Sequence, residues 1–488
     1  MAKIKQIGIS VKKDENFSEW FTELMKKAEL ADVRYNLKGF PVYMPWAVRS
    51  IRTITRMWEE ELENKGHEPL IMPLLIPESN FHKEAEHVEG FTPDVFWVTG
   101  AGDKVFEERL ALRPTSETAL YDMYGKWIQS YNDLPLKRYQ SVSVFRHETK
   151  MTRPFMRTRE FHWSEAHNVF ATEEEAWGQV KEDMEITQKL LYGELALPHI
   201  FFKRPQWDKF PGAVNTFAAD VLLPSGKVIQ LPSTHLIGKK FSKAFDVTFT
   251  NKKGEEEEGW ITCYGPAHSR NYGAIITFHG DDKGLILPWK IAPKQIVVVP
   301  IILKGKEEPV LQKASEIAKQ LEQEGFTVEY DDRREFSPGW KFNQWEMKGV
   351  PIRVEIGPRD VENNSLVVFR RDTGEKQTLS MDELSKTVNE IKNTFTENLK
   401  KAANKIFEEK CIDAKTQEEI KVGLDKGYMI RTSFCSIDKD GETCATRIEK
   451  DLGGEVRGEW FEKNEEVFCD CPVCGKKATT VVYVAKSH

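Results

Sequence analysis

What this 488-residue chain lacks narrows its class before any motif is read. No run of about 18 or more apolar residues occurs, so no transmembrane helix is expected. The opening MAKIKQIGISVKKDENF carries lysines but neither an apolar core nor a small-residue cleavage site, so a cytoplasmic location is expected. Cysteine is scarce, and seven thiols in such a length exclude a disulfide scaffold. Their placement is uneven: Cys263 and Cys411 stand alone, while five lie between Cys435 and Cys474. Clustered thiols in this setting point to metal before disulfide. A positive excess is also missing. The net charge of −7 excludes a protein coated in basic surface, though not one that confines its cations to a single cleft. Internal repeats and low-complexity tracts are absent, and the length suits about two to four domains.

Positive charge is instead concentrated. Lys137 to Arg159 holds seven basic residues against one acid, Glu148. Val142, Val144 and Phe145 alternate as in a strand, a polar loop broken by Pro154 follows, and EFHWSEAHNVF (160–170) returns as a second strand. Arg146 and Glu148 are two apart, so on a strand both face one side of the sheet. Arginine suits an anion because its planar fork donates in pairs and stays charged. A solvated basic hairpin would show the same composition, so the flanks must decide.

The rest of the chain divides by texture. Residues 47–64 predict an amphipathic helix with Val48, Ile51, Ile54, Trp58 and Leu62 on one stripe, ended by Gly66. EPLIMPLLIP reads as a strand interrupted by Pro73. Thr172 with Glu175 is a capping box for a helix over 173–193, and NKKGEEEEG (251–259) is a charged hairpin turn. From Ile296, IVVVPII is the continuous apolar strand of a parallel sheet, and the βαβαβ order after it predicts a compact α/β domain. Ser380 and Glu383 open a long polar helix to about residue 410. Cys435 and Cys444, with the knuckle Cys471-Pro-Val-Cys474-Gly, form a candidate four-thiolate zinc site, with Cys469 as an alternative ligand.

The flanks of the hairpin are RPTSET (113–118), TREFHWSEAH (158–167), IQLPSTHL (229–236), and Ser269-Arg270 ahead of the apolar run NYGAIITF, read as a strand. With Pro73, Arg146–Glu148 and Arg270 matching motifs 1, 2 and 3, the chain resembles the class II aminoacyl-tRNA synthetases. RPTSET, TREFHWSEAH and SPGWKFNQWEMKGVPIRVEIGPRD (337–360) narrow the resemblance to the prolyl branch of archaeal and eukaryotic type. Only 109 residues separate Glu160 from Arg270, too few for the editing insertion of the bacterial type.

The resemblance implies a multidomain α/β and α+β architecture. A class II antiparallel-sheet catalytic domain would span 1–285, an anticodon-binding α/β domain 286–380, a helical spacer 381–410, and a small zinc-binding α/β domain 411–488. It implies ligation of L-proline to tRNA(Pro) through an ATP-dependent adenylate, with Mg²⁺ accompanying ATP, structural Zn²⁺, and a homodimer. Alanine or cysteine would be side substrates, since an apolar pocket rejects near-isosteres by only about 1–3 kcal/mol.

Residue by residue, Arg146 and Arg270 would be catalytic. ATP would meet Arg146, Glu148, Arg157, Gln230, Ser233, Ser269 and Arg270, with Arg153 and Arg159 as rivals to Arg157. Proline would meet Thr115, Glu117, Arg146, Trp163, Glu165, His167, Phe217 and His235, with Cys263 a buried wall. Glu346, Arg353 and Arg359 would read anticodon guanines, since arginine donates bidentately to O6 and N7. Charge adds nothing there, because residues 331–377 hold nine basic and nine acidic side chains. Two other readings are a catalytically silent synthetase-like RNA-binding protein and a sister ligase for threonine. Retention of Glu117, Arg146, Glu148 and Arg270 favours the working prolyl enzyme over the first. The absence of a Cys–His–His set near 115–235 favours it over the second. The family's C-terminal residue is often a tyrosine that reaches the active site, whereas this chain ends in His488.

Overall fold

The computed structural model describes residues 8–87, 95–147 and 152–488, so Glu148 lies outside the described residues. The catalytic region opens with helices α1 (Phe17–Lys27), α2 (Pro45–Asn64) and α3 (Glu117–Trp127), followed by strands β1 (Leu136–Phe145) and β2 (Glu160–Phe170). Helix α4 (Glu173–Thr187), strands β3 (Ile200–Lys203), β4 (Asn215–Leu222), β5 (Lys227–Gly238) and β6 (Trp260–Gly265), and helix α5 (His268–His279) follow, beside a separate small sheet of Leu75–Pro77, Trp97–Ala101 and Lys104–Leu112.

Local sequence accounts for most of these elements. α2 starts on Pro45, whose missing N–H costs nothing at a first helical position, and buries Ile51, Ile54, Trp58 and Leu62. Val48, expected on that stripe, instead lines an outer groove. The Thr172–Glu175 capping box opens α4, which runs into a π-helical turn over Gln188–Glu194. The 251–259 turn closes a small antiparallel hairpin.

Three local expectations change. NYGAIITF is helical, lying within α5, where Tyr272, Ala274, Ile275, Ile276 and Phe278 are all buried. A run buried on every side carries no periodicity to separate helix from strand. EPLIMPLLIP is not one strand: only Glu68–Pro69 joins β1, in parallel, while Leu75–Pro77 pairs elsewhere. Pro69 and Pro73 each withdraw a ladder donor. Finally, β1 ends at Phe145, so Arg146 stands just past the strand, its N–H bonded to the Arg159 carbonyl.

The second region holds β7 (Ile296–Pro300), helix α6 (Glu307–Gln323), β8 (Val328–Tyr330), helix α7 (Pro338–Met347), β9 (Ile352–Ile356), β10 (Ser365–Arg370), β11 (Lys376–Ser380) and helix α8 (Leu384–Lys410). Its sheet runs β8-β7-β9-β10-β11, with β7 parallel to β8 and β9 and fully buried, as its apolar run requires. α8 is not a detached spacer. Leu384, Val388, Ile391, Phe395 and Leu399 lie on its apolar stripe and enter the same core as β7 and β9.

The last region supplies β12 (Met429–Phe434), β13 (Glu455–Trp460) and β14 (Thr480–Ser487). These strands do not form an isolated sheet. Among the described residues one eleven-stranded sheet runs through β12-β14-β13-β3-β4-β5-β6-β2-β1, with the short strands Cys411–Asp413 and Glu68–Pro69 at its ends. β14 also pairs in parallel with β5 through Lys227 and Val228. The C-terminal unit is therefore built into the catalytic sheet.

Candidate active site

Register decides which side chains meet, because cross-strand partners share a face. Arg138, His167, Cys263, His235 and Thr216 stand side by side across β1, β2, β6, β5 and β4. One residue along, Tyr139, Ala166, Tyr264, Thr234 and Phe217 make the matching row on the other face. The second row is the back. α4 covers it through Asp183, which accepts from Thr234 Oγ1 at 2.6 Å, and Trp177, which packs on Phe217. α2 covers it through Trp58 Nε1, which donates to the Tyr264 hydroxyl at 2.9 Å.

The first row is the front, and its centre is a closed hydrogen-bond network. Glu165 is fully buried and accepts from Ser116 N at 3.2 Å, from the Ser116 hydroxyl, from Gln140 Nε2 at 2.8 Å, and from His167 at 3.2 Å. Burial alone would raise this carboxyl, but the bonds from His167, Ser116 and Gln140 bring it below its ordinary range. Burial likewise opposes charge on His167, and Glu165 and the nearby Glu117 outweigh it and raise the imidazole. The other His167 nitrogen meets the Tyr121 hydroxyl at 2.9 Å.

Beside this network lies a buried anionic cluster. Glu117 opens α3, bonded by the Thr115 hydroxyl and approached by Cys263 Sγ at 3.7 Å. Burial, then Glu117, push the Cys263 thiol well above its usual range, so it stays protonated and serves as a wall. Glu117, His167 and Cys263 bring ligand-type atoms within 4.8 Å of one another. Both His167 nitrogens are already engaged, so the trio is a hydrogen-bonded lining. His235 is neutral, lowered to about 3 by burial, and rests on Thr216 and Ser233.

Phe217 is corrected here. It belongs to the back row, fully buried among Trp177 and Phe461, because its position is one out of phase with Thr216. The aromatic ring on His235 is Phe210, with centroids 5.2 Å apart, and it comes from the loop before β4. Loop residues carry no periodicity, so nothing in the sequence singled it out.

Past this cluster the lining changes to arginine. Arg146 Nε donates to the Pro114 carbonyl at 3.0 Å, and its guanidinium lies over Phe161 and Trp163 at 5.3 and 5.5 Å. Arg270, in the first turn of α5, approaches the same Phe161 ring at 6.0 Å. Phe161, not anticipated, thus presents an aromatic face between two guanidiniums. Ser269 is corrected: it is fully buried and lines the groove along α2 with His162. A helix turns about 100° per residue, so Ser269 and Arg270 point in different directions. Among the three rival arginines, Arg153 is packed on Phe17 and Phe21 and donates to Ser18, while Arg159 reaches the carbonyl of Lys38. Among the described residues the Arg157 side chain makes no hydrogen bond. Gln230 and Ser233 lie on β5, and His488 reaches the same strand through a bond from its N–H to the Val228 carbonyl at 3.0 Å.

Elsewhere, Arg353 is 3% exposed, sandwiched by Phe342 and Phe369, and paired with Glu346 and Glu355. Its guanidinium is therefore spent on holding Glu346, and direct reading of a base by Arg353 does not fit this geometry. Arg359 is exposed. Phe336 and Trp340 stack at 3.8 Å under Arg333, a half-open platform that sequence reading missed. Cys435, Cys444, Cys471 and Cys474 bring their sulfurs within 4.8 Å of one another, and Cys469 is not in that group.

An antiparallel sheet with a buried anionic cluster beside two arginines, followed by a mixed α/β domain, is the arrangement expected of a class II aminoacyl-tRNA synthetase. Family models agree: a tRNA synthetase class II core domain (G, H, P, S and T) matches residues 96–279, and an anticodon binding domain matches 295–391. A third, the prolyl-tRNA synthetase C-terminal domain, matches 417–488. The chain is 50% identical to a proline–tRNA ligase of Thermofilum pendens over 99% of both chains, and 42% identical to that of Pyrococcus horikoshii over 97% and 98%. Its fold matches a Giardia lamblia prolyl-tRNA synthetase solved with prolyl-adenylate, with a TM-score of 0.95 at 36% identity over 98% of this chain and 100% of that one. It also matches a Cryptosporidium parvum prolyl-tRNA synthetase solved with halofuginone and AMPPNP (TM-score 0.93, 32% identity, 99% and 100% covered). The chain belongs to the prolyl-tRNA synthetase family, whose members are proline–tRNA ligases.

Proposed function

We propose that the front face of the sheet binds proline at the Glu117 end and ATP along Arg146, Phe161 and Arg270. The observation that carries this is the place of Arg146, between the RPTSET turn and the Phe161 ring. There it can hold the proline carboxylate and the α-phosphate together. Glu117 and Thr115 take the amine, while Trp163, Phe210 and His235 enclose the ring. Adenine stacks on Phe161, Arg270 neutralises the distal phosphates, and Arg157 is the loop arginine left for ATP, with Mg²⁺ entering alongside the nucleotide.

A carboxylate oxygen attacks the α-phosphorus, the bond to the bridging oxygen breaks, and pyrophosphate leaves. A hydroxyl of the terminal ribose of tRNA(Pro) then attacks the prolyl carbonyl, and AMP leaves. No protein nucleophile is needed, so catalysis is positioning and charge stabilisation. Proline-dependent ATP–pyrophosphate exchange tests the scheme. Arg146→Ala should lower it about 10²–10³-fold, and undiminished exchange would reject the assignment.

The coarser features extend this reading. The four clustered thiols suit structural zinc, remote from the chemistry, and metal analysis of Cys444→Ser should show its loss. Phe336 and Trp340 offer stacking for unpaired anticodon bases, and Glu346 and Arg359 are the polar candidates of the same domain. A groove of 910 Å³ along the outer side of α2, with Arg49, Arg52 and Arg56 in its lining, fits a second copy of the chain. Sedimentation should show a homodimer. Among the described residues no helix is long and apolar enough to cross a membrane. A role in translation suits a cytoplasmic location, which fractionation of the cells would test.

A further inference from the structure

A buried chain of charges runs from the C-terminal strands to Gln230. Arg204, just after β3, is 2% exposed. Its Nη2 donates to the Gln230 carbonyl at 2.9 Å and to Asp220 Oδ1 at 2.7 Å, and its Nη1 donates to the Arg457 carbonyl at 2.9 Å. The second Asp220 oxygen accepts from Arg457 Nε at 2.6 Å. Arg457 Nη1 in turn donates to Glu455 at 2.7 Å and to the Ser487 hydroxyl at 3.1 Å. Asp220 and Gln230 are themselves opposite one another on β4 and β5.

The backbone is shaped to make this contact. The β13–β14 ladder slips between Val456 and Gly458, which bulges Arg457 out of register. Bulges re-aim side chains, and this one turns an arginine toward Asp220. Gly458 sits at φ +125°, and a Cβ there would lie 2.1 Å from the Lys203 carbonyl oxygen. Only glycine lets β13 close onto β3 at that point.

Arginine has donors and no acceptor, so Arg204 dictates the orientation of the Gln230 amide. The carbonyl faces Arg204 and the NH₂ is left for the cleft. Among the described residues no hydrogen bond is made by Gln230 Nε2, and the residue is half-buried. An NH₂ presented this way suits groups that only accept, namely phosphate and ribose oxygens. Released from Arg204, the amide could turn its oxygen toward the same anion.

We propose that Arg204 and Arg457 are positioning residues for ATP, acting through Asp220 on the Gln230 amide, so that the C-terminal unit completes the nucleotide site. This rests on the reading that Gln230 faces ATP. The test is a double-mutant cycle in ATP–pyrophosphate exchange, with KM for ATP and for proline measured separately on the full-length enzyme. Gln230→Ala and Arg204→Met should each raise KM for ATP about tenfold while KM for proline moves less than about twofold, and the double variant should be no worse than Gln230→Ala. Arg457→Met should raise KM for ATP in the same direction by a smaller factor.

If Gln230→Ala leaves KM for ATP unchanged, the placement of Gln230 at ATP is wrong. If Gln230→Ala acts but Arg204→Met is silent, or the two effects multiply, the positioning role is wrong. Should Arg204→Met fail to fold, Arg204→Lys keeps a cation on Asp220 but cannot fork to Gln230. The same ATP-selective rise supports the role, and equal loss for both substrates overturns it.

Discussion

The two faces of the catalytic sheet carry similar residue types and use them in opposite ways. On the front, Glu165 is buried among four donors, one of them a histidine, and it sits below the ordinary carboxylate range. On the back, Asp183 is equally buried, but among the described residues its side chain accepts from two neutral donors, Thr234 and Gln179, and burial lifts it to about 7. Phe210 faces His235 while Phe217, one strand away, closes the core. The difference teaches that function here is a matter of parity: a one-residue step along a strand moves a side chain from ligand to core.

The largest way to break the comparison is the phenylalanine pair. Phe217→Ala should cost about 3–5 kcal/mol of stability, as for a large aromatic deleted from a packed core, with KM for proline unchanged in the folded fraction. Phe210→Ala should do the reverse, raising KM for proline with a smaller loss in denaturant midpoint. An increase in KM for proline from Phe217→Ala would restore the sequence-based assignment.

A middle-sized effect is expected at the front carboxylate. Glu165→Gln turns an NH₂ toward donors that need an acceptor and removes the partner of His167, at about 1.5–3 kcal/mol. Two windows follow from the shifts. The lowered Glu165 contributes stability above the unfolded carboxyl range and loses it as pH falls through its folded pKa. The raised His167 contributes below its unfolded pKa and loses it as pH rises through the folded one. Wild-type stability should therefore fall at both ends relative to Glu165→Gln, measured by urea unfolding across pH.

Much of this was legible in the chain because the motifs are strings of fixed spacing. RPTSET and TREFHWSEAH singled out Thr115, Glu117, Glu165 and His167, which the fold brings into one buried cluster, since their strand and helix positions follow from two- and three-residue steps. Most of the failures share one cause. Phe217 for Phe210, Ser269 beside Arg270 and the open reading of Arg353 all turned on which way a side chain points, and the strand reading of α5 on a run too uniformly apolar to show a period. Composition gives residue type; orientation is set by register, helix phase and neighbours distant in sequence. The union of the C-terminal strands with the catalytic sheet was hidden for the same reason, because β13 meets β3 across some 250 residues of chain.

The smallest effect sharpens the contrast most directly. Unfolded, Asp183 ionises near pH 4 as any aspartate does, whereas in the folded sheet it keeps its proton until about 7. Between these values the native state binds the extra proton, so this group makes stability fall as pH rises through that window and level off above it. Asp183→Asn removes the slope. Its amide satisfies one of the two neighbours and opposes the other, so at pH 8 the variant should exceed wild type by only about 1 kcal/mol. At pH 4 it should be equal or slightly weaker. Urea midpoints at the two pH values read this directly, and a variant less stable at pH 8 would mean that Asp183 is a paired anion like Glu165, erasing the distinction between the faces.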